Sequence, residues 1–413
     1  MLSPRGQATV ALGLGLYVVS WGFGTPELYA VAIGLTAAPL LALLWLRFLV
    51  RPMGLRRRTG ERELVEGGTV PVTIEVRPDA GPLPGRATVV DRVGGMGERI
   101  VPVQRIGHTL RGRYLLDVVP RGRYALEGAV LLLDDPFGLT EARIPLDRHD
   151  TLLVYPRVYQ LDGFFTDAGT AGGDAGRALL HRTAGYDLHS IRDFQQGESL
   201  RRVHWRSTAK RRKLMVKELT DMPRDEAAVL LDGDAGAVAG PRGQSSFDAQ
   251  VRAAASLVSR MVVLGQRCSL VIHGATRERL RIQAGGGEWT AVLAALAAVE
   301  PTAERPLHMM LRDIAAGSGA SEAVDAARLF VVTAAVSPAL ADRLLALRSA
   351  RRDVALVWVD APTFAGRRTQ PGAEEAASLR LAQAGVAVAR LREGDDVGAV
   401  LSATGVRRSV AHA

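Results

Sequence analysis

The chain has 413 residues, of which 47% are hydrophobic and 23% charged, so it can build two or three globular domains and is not largely disordered. Lysine and arginine outnumber aspartate and glutamate by 52 to 43. The net charge of +9 favours acidic partners such as nucleic acid, anionic lipid or an acidic protein surface, although scattered surface arginines give the same balance. The single cysteine, Cys268, excludes an intramolecular disulfide and a cysteine-rich metal site.

Two uncharged segments, 8–24 and 28–46, lie near the N-terminus. Each is close to the roughly 17 to 25 residues that a membrane-spanning helix needs. A cleaved signal peptide is the competing interpretation, but no small-residue cleavage site closes the first segment and a second apolar segment follows. Gly34 and Ala38 offer a face of small residues on which the two helices can pack.

Arginines flank this pair of segments. Arg5 precedes the first segment, and positions 47, 51, 56, 57 and 58 follow the second. The positive-inside rule then places both ends of the hairpin in the cytoplasm. We therefore predict a membrane hairpin with a basic flank over residues 1–58. The protein is then a multi-pass protein of the cell membrane, with its N-terminus and main C-terminal part in the cytoplasm.

Residues 59–158 are predicted to form a small, β-rich, sandwich-like domain. Apolar residues alternate from Val70 to Val76, as in a half-buried strand, and similar short runs recur between Gly, Pro and Asp. The run Asp134-Asp135-Pro136-Phe137-Gly138-Leu139 has paired carboxylates that could bind a cation. Asp before Pro and Gly is more typical of a turn, which we predict here.

Residues 159–228 are predicted to be a linker followed by a basic segment. Eight lysines and arginines between Arg201 and Lys217 surround His204 and Trp205, with no acidic residue among them. If Ser199 caps a helix, four of these cations share one stripe: Arg202, Arg206, Lys210 and Lys213. The segment could bind nucleic acid or another anion, with the cations on phosphates and Trp205 stacked on a base. It could equally pack against the following domain.

This region of the chain, from about Arg121 to about Asp234, resembles domain-of-unknown-function family 58. The resemblance rests on DPFGL at 135–139, VYP at 154–156, RDF at 192–194, GE at 197–198, RRVHW at 201–205 and STAK at 207–210. It implies a membrane-anchored protein with one or two N-terminal spans, a central domain and a von Willebrand factor A-like region, associated with a MoxR-type AAA+ ATPase. The residues to which the resemblance assigns a motif or interaction role are Arg192, Asp193, Gly197, Glu198, Arg202, His204, Trp205, Arg206, Ala209 and Lys210.

Residues 229–413 alternate apolar runs with helical patterns, which predicts a doubly wound α/β domain of von Willebrand A-like type. Strands are expected near 228–232, 268–273, 327–333, 353–360 and 386–391. Ligands of such sheets bind beyond the carboxyl ends of the strands. The side chains expected at that edge are Asp232, Asp234, His273, Thr333 and Asp360.

The sequence of this domain retains only part of the metal-binding motif of a von Willebrand A domain. A von Willebrand A site would have Asp-x-Ser-x-Ser after the first strand, because a carboxylate and two hydroxyls suit Mg²⁺. This chain has Asp232-Gly233-Asp234-Ala235-Gly236, and Ala334 follows Thr333 where a second Asp would be expected, while Thr290 is the candidate counterpart of the family threonine. Asp232 and Asp234 are therefore a weak candidate site for Mg²⁺, against a turn or a solvated loop.

No motif for a phosphate-binding loop, a zinc protease, a serine hydrolase or a thiol redox site occurs in the chain. We therefore expect a non-enzymatic, membrane-anchored cytoplasmic adaptor that binds other proteins, working with a MoxR-type AAA+ ATPase and needing no cofactor. The alternatives are nucleic-acid or anion binding through residues 201–217 and a metal-dependent hydrolase acting through Asp232.

Overall fold

The computed structural model describes residues 1–59, 64–78, 82–84, 86–166, 186–193, 208, 213, 215–221, 227–315, 326, 328–350, 352–368 and 372–402. It shows a mixed α/β protein that begins with two apolar helices. The chain divides into two compact units, Met1–Tyr155 and Pro156–Ala413.

The first unit starts with the two predicted apolar helices, α1 (Pro4–Phe23) and α2 (Glu27–Leu49). Ser3 caps α1 by accepting a hydrogen bond from the Gly6 N–H, and Gly24 ends it in the left-handed conformation, at φ 66°. Both helices are long and apolar enough to cross a membrane, and most of their apolar surface is exposed. Such surface is unfavourable in water, so the helices indicate a membrane protein.

Helices α1 and α2 approach each other closely at Gly13 and not at the predicted Gly34. A Cβ added at Gly34 would meet nothing within 4 Å, whereas one added at Gly13 would lie 2.7 Å from the Thr36 methyl carbon. Near the turn, the rings of Tyr17 and Tyr29 meet edge to face with centroids 5.2 Å apart. The predicted Gly34 face is therefore wrong, and Gly13 permits the close approach.

Ten strands complete the first unit. They are β1 (Met53–Thr59), β2 (Leu64–Val65), β3 (Val70–Pro78), β4 (Arg86–Val93), β5 (Gly97–Ile106), β6 (Thr109–Leu116), β7 (Gly122–Leu126), β8 (Ala129–Asp134), β9 (Glu141–Leu146) and β10 (Asp150–Tyr155). Their hydrogen-bonded order is β1-β3-β6-β5-β4-β7-β10-β2, with β8 between β4 and β9, and only β2 and β10 pair in parallel. The apolar residues predicted to alternate on β3 are all buried.

A buried ion pair lies inside this unit. Arg57 on β1 and Asp91 on β4 have side chains only 1% and 0% exposed, and their closest N–O distance is 2.7 Å. The Tyr114 hydroxyl donates to the other Asp91 oxygen at 2.8 Å, and Arg57 also donates to the carbonyls of Glu127 and Arg148. Burial first, and then the Asp91 charge, raise the pKa of Tyr114 above its ordinary value, so this phenol stays protonated.

The run from Asp134 to Leu139 forms the predicted turn between β8 and β9. Asp135 accepts hydrogen bonds from the Phe137 N–H at 2.8 Å and from the Thr140 N–H and hydroxyl. Burial favours the neutral acid, but these bonds outweigh it and hold the pKa of Asp135 below its ordinary value. We call residues 135–139 the DPFGL turn.

The start of α1 is fastened to the DPFGL turn. The Ser3 hydroxyl donates to the Gly138 carbonyl at 2.6 Å, and the Ser3 N–H donates to the Leu139 carbonyl at 2.9 Å. Gly6 allows this approach, since a Cβ there would clash with the Leu139 carbonyl oxygen. The turn therefore positions the first turn of an apolar helix.

Asp135→Ala should lower the free energy of unfolding of the first unit by about 1–3 kcal/mol at pH 7, because it leaves the donors of Phe137 and Thr140 without their acceptor. The pKa of Asp135 is lower in the folded than in the unfolded state, where it is about 3.9, so its contribution is present above that pH and disappears as the pH falls through the folded value. Urea unfolding at pH 7 and pH 3 should show a wild-type advantage that shrinks at the lower pH. The matched control is Asp134→Ala, at an exposed neighbour. Equal effects of the two variants would contradict the account.

The second unit contains a six-stranded sheet. Its strands are β13 (Ala227–Asp232), β14 (Cys268–His273), β15 (Glu278–Ile282), β16 (Arg328–Thr333), β17 (Asp353–Val359) and β18 (Ala387–Leu391), in the order β15-β14-β13-β16-β17-β18. All pairs are parallel except β14 with β15. The five strands predicted from sequence are confirmed, each within a residue or two of its expected bounds.

The helices of this unit are α3 (Ser246–Val263), α4 (Trp289–Ala298), α5 (Leu307–Ala315), α6 (Pro338–Ser349), α7 (Ala373–Gln383) and α8 (Val397–Ser402). Helix α3 begins at a capping box between Ser245 and Asp248, and α6 begins with a Ser337 cap followed by a proline. Two separate apolar clusters cover the sheet, one joining it to α3, α4 and α8 and the other to α5, α6 and α7. The central strands are therefore buried on both faces, as their continuous apolar runs require.

A two-stranded ribbon precedes the sheet in sequence. It pairs β11 (Tyr186–Asp193) with β12 (Met215–Asp221) antiparallel. Lys217, at the end of the basic segment, therefore lies in a strand. Arg202, Arg206 and Lys210 of the predicted helical stripe lie outside the described residues.

Candidate functional site

Three of the side chains predicted at the carboxyl edge of the sheet meet there. Asp232 ends β13, His273 ends β14 and Thr333 ends β16. Asp232 pairs in register with His273, and β16 flanks β13 on its other side. All three are buried polar residues in an otherwise apolar sheet. Burial makes their hydrogen bonds to one another necessary, because a buried unpaired polar group is costly.

The carboxylate of Asp232 is the centre of this cluster. Its Oδ1 lies 2.8 Å from the His273 Nδ1, and its Oδ2 accepts from the Thr333 hydroxyl at 2.7 Å. The Asp234 N–H lies 3.3 Å from Oδ1 and adds a longer contact. Since a carboxylate only accepts, Nδ1 of His273 carries the proton in this contact.

The backbone fixes the loop after β13 in the same place. The Gly233 N–H donates to the His273 carbonyl at 2.9 Å, and the Gly233 carbonyl accepts from the Ala303 N–H at 2.9 Å. A Cβ at position 233 would clash with the His273 carbonyl oxygen. Glycine is therefore required between the two predicted metal-site aspartates for steric reasons.

The two aspartates predicted as a degenerate metal site have separate partners. Both oxygens of Asp232 are used by protein donors, and the Asp234 carboxylate accepts from the Gly236 N–H at 2.9 Å, where it caps a short 3₁₀ helix, Ala235–Ala237. Thr290 is exposed at the start of α4. Within the described part of the chain, no group of three or more His, Cys, Asp or Glu side chains could hold a metal ion.

Asp360, also predicted at this edge, belongs to a different cluster. It follows β17, is fully buried, and accepts from Arg390 of β18 at 2.9 and 3.1 Å. The Arg390 guanidinium also lies 4.3 Å from the centre of the Trp358 ring, a cation–π contact. Burial first, and then the negative Asp360, raise the pKa of Glu374 above its ordinary value.

Sequence reasoning missed Arg390 and Trp358 in this cluster. The register that pairs Trp358 with Arg390 across β17 and β18 brings them together. A cleft of about 660 Å³ opens beside the cluster, with Arg367, Arg368 and Glu375 among its lining residues. The only local signal was a charged residue inside an apolar strand, which requires a buried partner.

The residues that the family resemblance singled out fall mostly beyond the part that the structure describes. Arg192 and Asp193 lie on β11, opposite Val216 and Met215 of β12. The residues outside the described ranges are Gly197, Glu198, Arg202, His204, Trp205, Arg206, Ala209 and Lys210. The motif and interaction roles of all ten stay predictions.

The class of protein follows from comparison with known families. Residues 190–365, which run from β11 past Asp360, match the family described as "Protein of unknown function DUF58". The resemblance predicted from the sequence motifs is thereby confirmed over these residues, and two apolar helices lie near the N-terminus of the same chain.

A curated relative is the "Uncharacterized protein YeaD" of Bacillus subtilis (strain 168). It is 24% identical over 232 residues, which is 56% of this chain and 56% of that protein. The match therefore spans about half the length of the relative.

Among solved structures, the chain is similar to an aerotolerance-related membrane protein from Bacteroides fragilis NCTC 9343, at 14% identity over 43% of this chain and 94% of that chain, with a TM-score of 0.29. It is also similar to BatB, a conserved hypothetical protein from Bacteroides thetaiotaomicron, at 13% identity over 42% and 91% of the two chains, with a TM-score of 0.26. TM-scores this low do not establish a shared fold.

Proposed function

We propose that this protein is a membrane-anchored, non-enzymatic interaction module whose second unit is a von Willebrand A-like domain facing the cytoplasm. The observation that carries the proposal is that each carboxylate oxygen of Asp232 is hydrogen-bonded to a buried side chain, one to His273 and the other to Thr333. At the position where a domain of this type would bind a metal ion, protein donors occupy both oxygens. The domain then retains a shape for docking without the Lewis acid that hydrolysis would use.

The order of the parallel strands supports the choice of domain. From β13 the chain continues to β14 on one side, and from β16, on the other side of β13, it continues outward to β17 and β18, so the strand order reverses between β13 and β16. The crevice at such a switch point lies beyond the carboxyl ends of these strands, where open sheets bind their ligands. Asp232 and Thr333 form the floor of that crevice.

The proposed partner is a MoxR-type AAA+ ATPase, which the family resemblance implies. Asp232→Asn should leave the association intact, because the carboxylate is used internally. A metal-dependent hydrolase would instead require Asp232 to bind an ion together with further ligands, and the described residues contain no group of three or more His, Cys, Asp or Glu side chains that could hold one.

Anchoring and orientation can be tested with single cysteines, because Cys268 is the only cysteine and is buried. Glu27→Cys lies at the start of α2, and Ile100→Cys lies on β5 at a side chain that is 74% exposed. In intact cells, a membrane-impermeant maleimide should label position 27, and position 100 only after permeabilisation. Labelling of position 100 in intact cells would contradict the cytoplasmic orientation. Release of the chain by alkaline carbonate would contradict the anchor.

A further inference from the structure

An apolar cleft lies between the last turns of α2 and the DPFGL turn, within the first unit. Its volume is about 540 Å³, and its walls include Ala38, Leu41, Trp45 and Phe48 on the helix and Phe137 on the turn. This volume falls in the range of roughly 300–1,000 Å³ that is usual for small-ligand sites. The Phe137 ring is 78% exposed, although its backbone is held by Asp135. With the exposed Trp45 and Phe48 of the same cleft it forms a contiguous apolar patch, which indicates a binding surface.

The single carboxylate in the cleft wall does not oppose an anionic ligand strongly. Asp135 is 5% exposed, and its oxygens accept from Phe137 and Thr140. These hydrogen bonds partly neutralise the negative charge of Asp135 within the turn. The acidic group nearest in sequence is Asp134, whose side chain is exposed to solvent.

Two arginines lie next to residues at the edge of the cleft. A guanidinium nitrogen of Arg5 lies 3.8 Å from the position of a Cβ at Gly138, and Arg51 Nε donates to the Phe48 carbonyl at 3.3 Å. Both side chains are exposed, and neither forms an ion pair within the described ranges. The apolar walls and two free cations therefore adjoin one another.

We propose that this cleft binds an anionic phospholipid of the cytoplasmic leaflet. One acyl chain lies against Trp45, Phe48 and Phe137, and the headgroup phosphate is bound between Arg5 and Arg51. The inference rests on the proposed membrane anchoring, which places the start of α1 and the end of α2 at the same membrane surface. Aromatic rings at the interface and arginines on the cytoplasmic side are the residues that suit a phospholipid there.

The cleft can be blocked without touching its charges. Ala38 lines the cleft, so the larger side chain of Ala38→Trp occupies part of the cleft volume. Ala30→Trp adds the same bulk at an exposed position of α2 outside the cleft. The intact chain, purified in nonionic detergent, is titrated with phosphatidylglycerol or with phosphatidylcholine of identical acyl chains. Native mass spectrometry then counts the lipids that remain bound.

The wild-type chain and Ala30→Trp should retain one phosphatidylglycerol at a concentration several-fold below that for phosphatidylcholine. Ala38→Trp should weaken this binding about tenfold. Equal retention of the two lipids, or equal behaviour of the two tryptophan variants, would overturn the proposal.

The headgroup contact has its own test, which holds even if Ala38→Trp does not fold. Arg5→Gln combined with Arg51→Gln should abolish the preference for phosphatidylglycerol and leave the binding of phosphatidylcholine unchanged. A preserved preference would exclude these two arginines as the phosphate site. Flotation of the same variants with vesicles reports anchoring separately, so a chain that floats but shows no lipid preference refutes the cleft and not the anchor.

Discussion

Asp232→Ala is expected to lower the free energy of unfolding of the second unit by about 3–5 kcal/mol. The substitution leaves the His273 Nδ1–H and the Thr333 hydroxyl buried without their acceptor, in a sheet edge that is shielded from water. Each orphaned donor costs about 1–3 kcal/mol.

The measurement is urea unfolding of the wild type, Asp232→Ala and Asp234→Ala, with and without Mg²⁺. Asp234→Ala is the matched control, because it removes only a cap of the short helix after β13, worth about 1 kcal/mol. The midpoint of the wild type should not respond to Mg²⁺. A wild-type midpoint that rises with Mg²⁺, together with an Asp232→Ala variant that is stable but unresponsive, would instead identify a metal site.

Asp91→Ala should destabilise the first unit by a similar amount, about 3–5 kcal/mol, because it removes the closest counter-charge of the buried Arg57 guanidinium and leaves the more distant, partly exposed Asp150 at 3.6 Å. It also removes the acceptor of the Tyr114 hydroxyl. Replacing both partners with apolar residues, as in Arg57→Met with Asp91→Leu, should cost less than Asp91→Ala alone, since no buried charge then remains.

Thermal unfolding followed by circular dichroism would compare these variants with Arg92→Ala paired with Glu98→Ala. That exposed pair bridges β4 and β5, and because solvent screens its attraction, its removal should leave the unfolding midpoint nearly unchanged. A double apolar variant less stable than Asp91→Ala would contradict the account of the buried pair.

The local sequence pattern was sufficient to predict the strands whose residues are all buried. The runs that became β13, β16 and β17 are continuously apolar, and the structure buries them on both faces. The DPFGL turn was predictable from Asp, Pro and Gly alone, because its hydrogen bonds stay within a few residues.

Long-range partners were not predictable in this way. The sequence predicts Arg57 in the basic flank of the membrane hairpin, yet the period of two that buries Met53 and Leu55 places its side chain inside the first unit as well. Its counter-charge, Asp91, is 34 positions away, so no local pattern reveals it. Arg57 therefore contributes nothing to an exposed positive flank.

The candidate site also contains residues that the sequence predicts and partners that it does not. The rule that parallel strands end at one edge predicted Asp232, His273 and Thr333 together, because β14 and β16 both neighbour β13. Asp360 follows β17, which lies two strands from β13, and neighbouring strands are about 4.8 Å apart. The distance across two strands is longer than a hydrogen bond, so Asp360 cannot join the Asp232 cluster. Its partner is instead Arg390 of the neighbouring β18.

The most direct test of the interaction module is recovery of its partner from the membrane. The intact chain would be purified in nonionic detergent from cells that express it naturally, with a nucleotide that traps AAA+ rings. We expect a MoxR-type ATPase to be enriched with the wild type and with Arg105→Ala, an exposed control on β5, and to be lost with Arg202→Ala or Trp205→Ala. Absence of any AAA+ ATPase from the trapped wild-type complex would contradict the account.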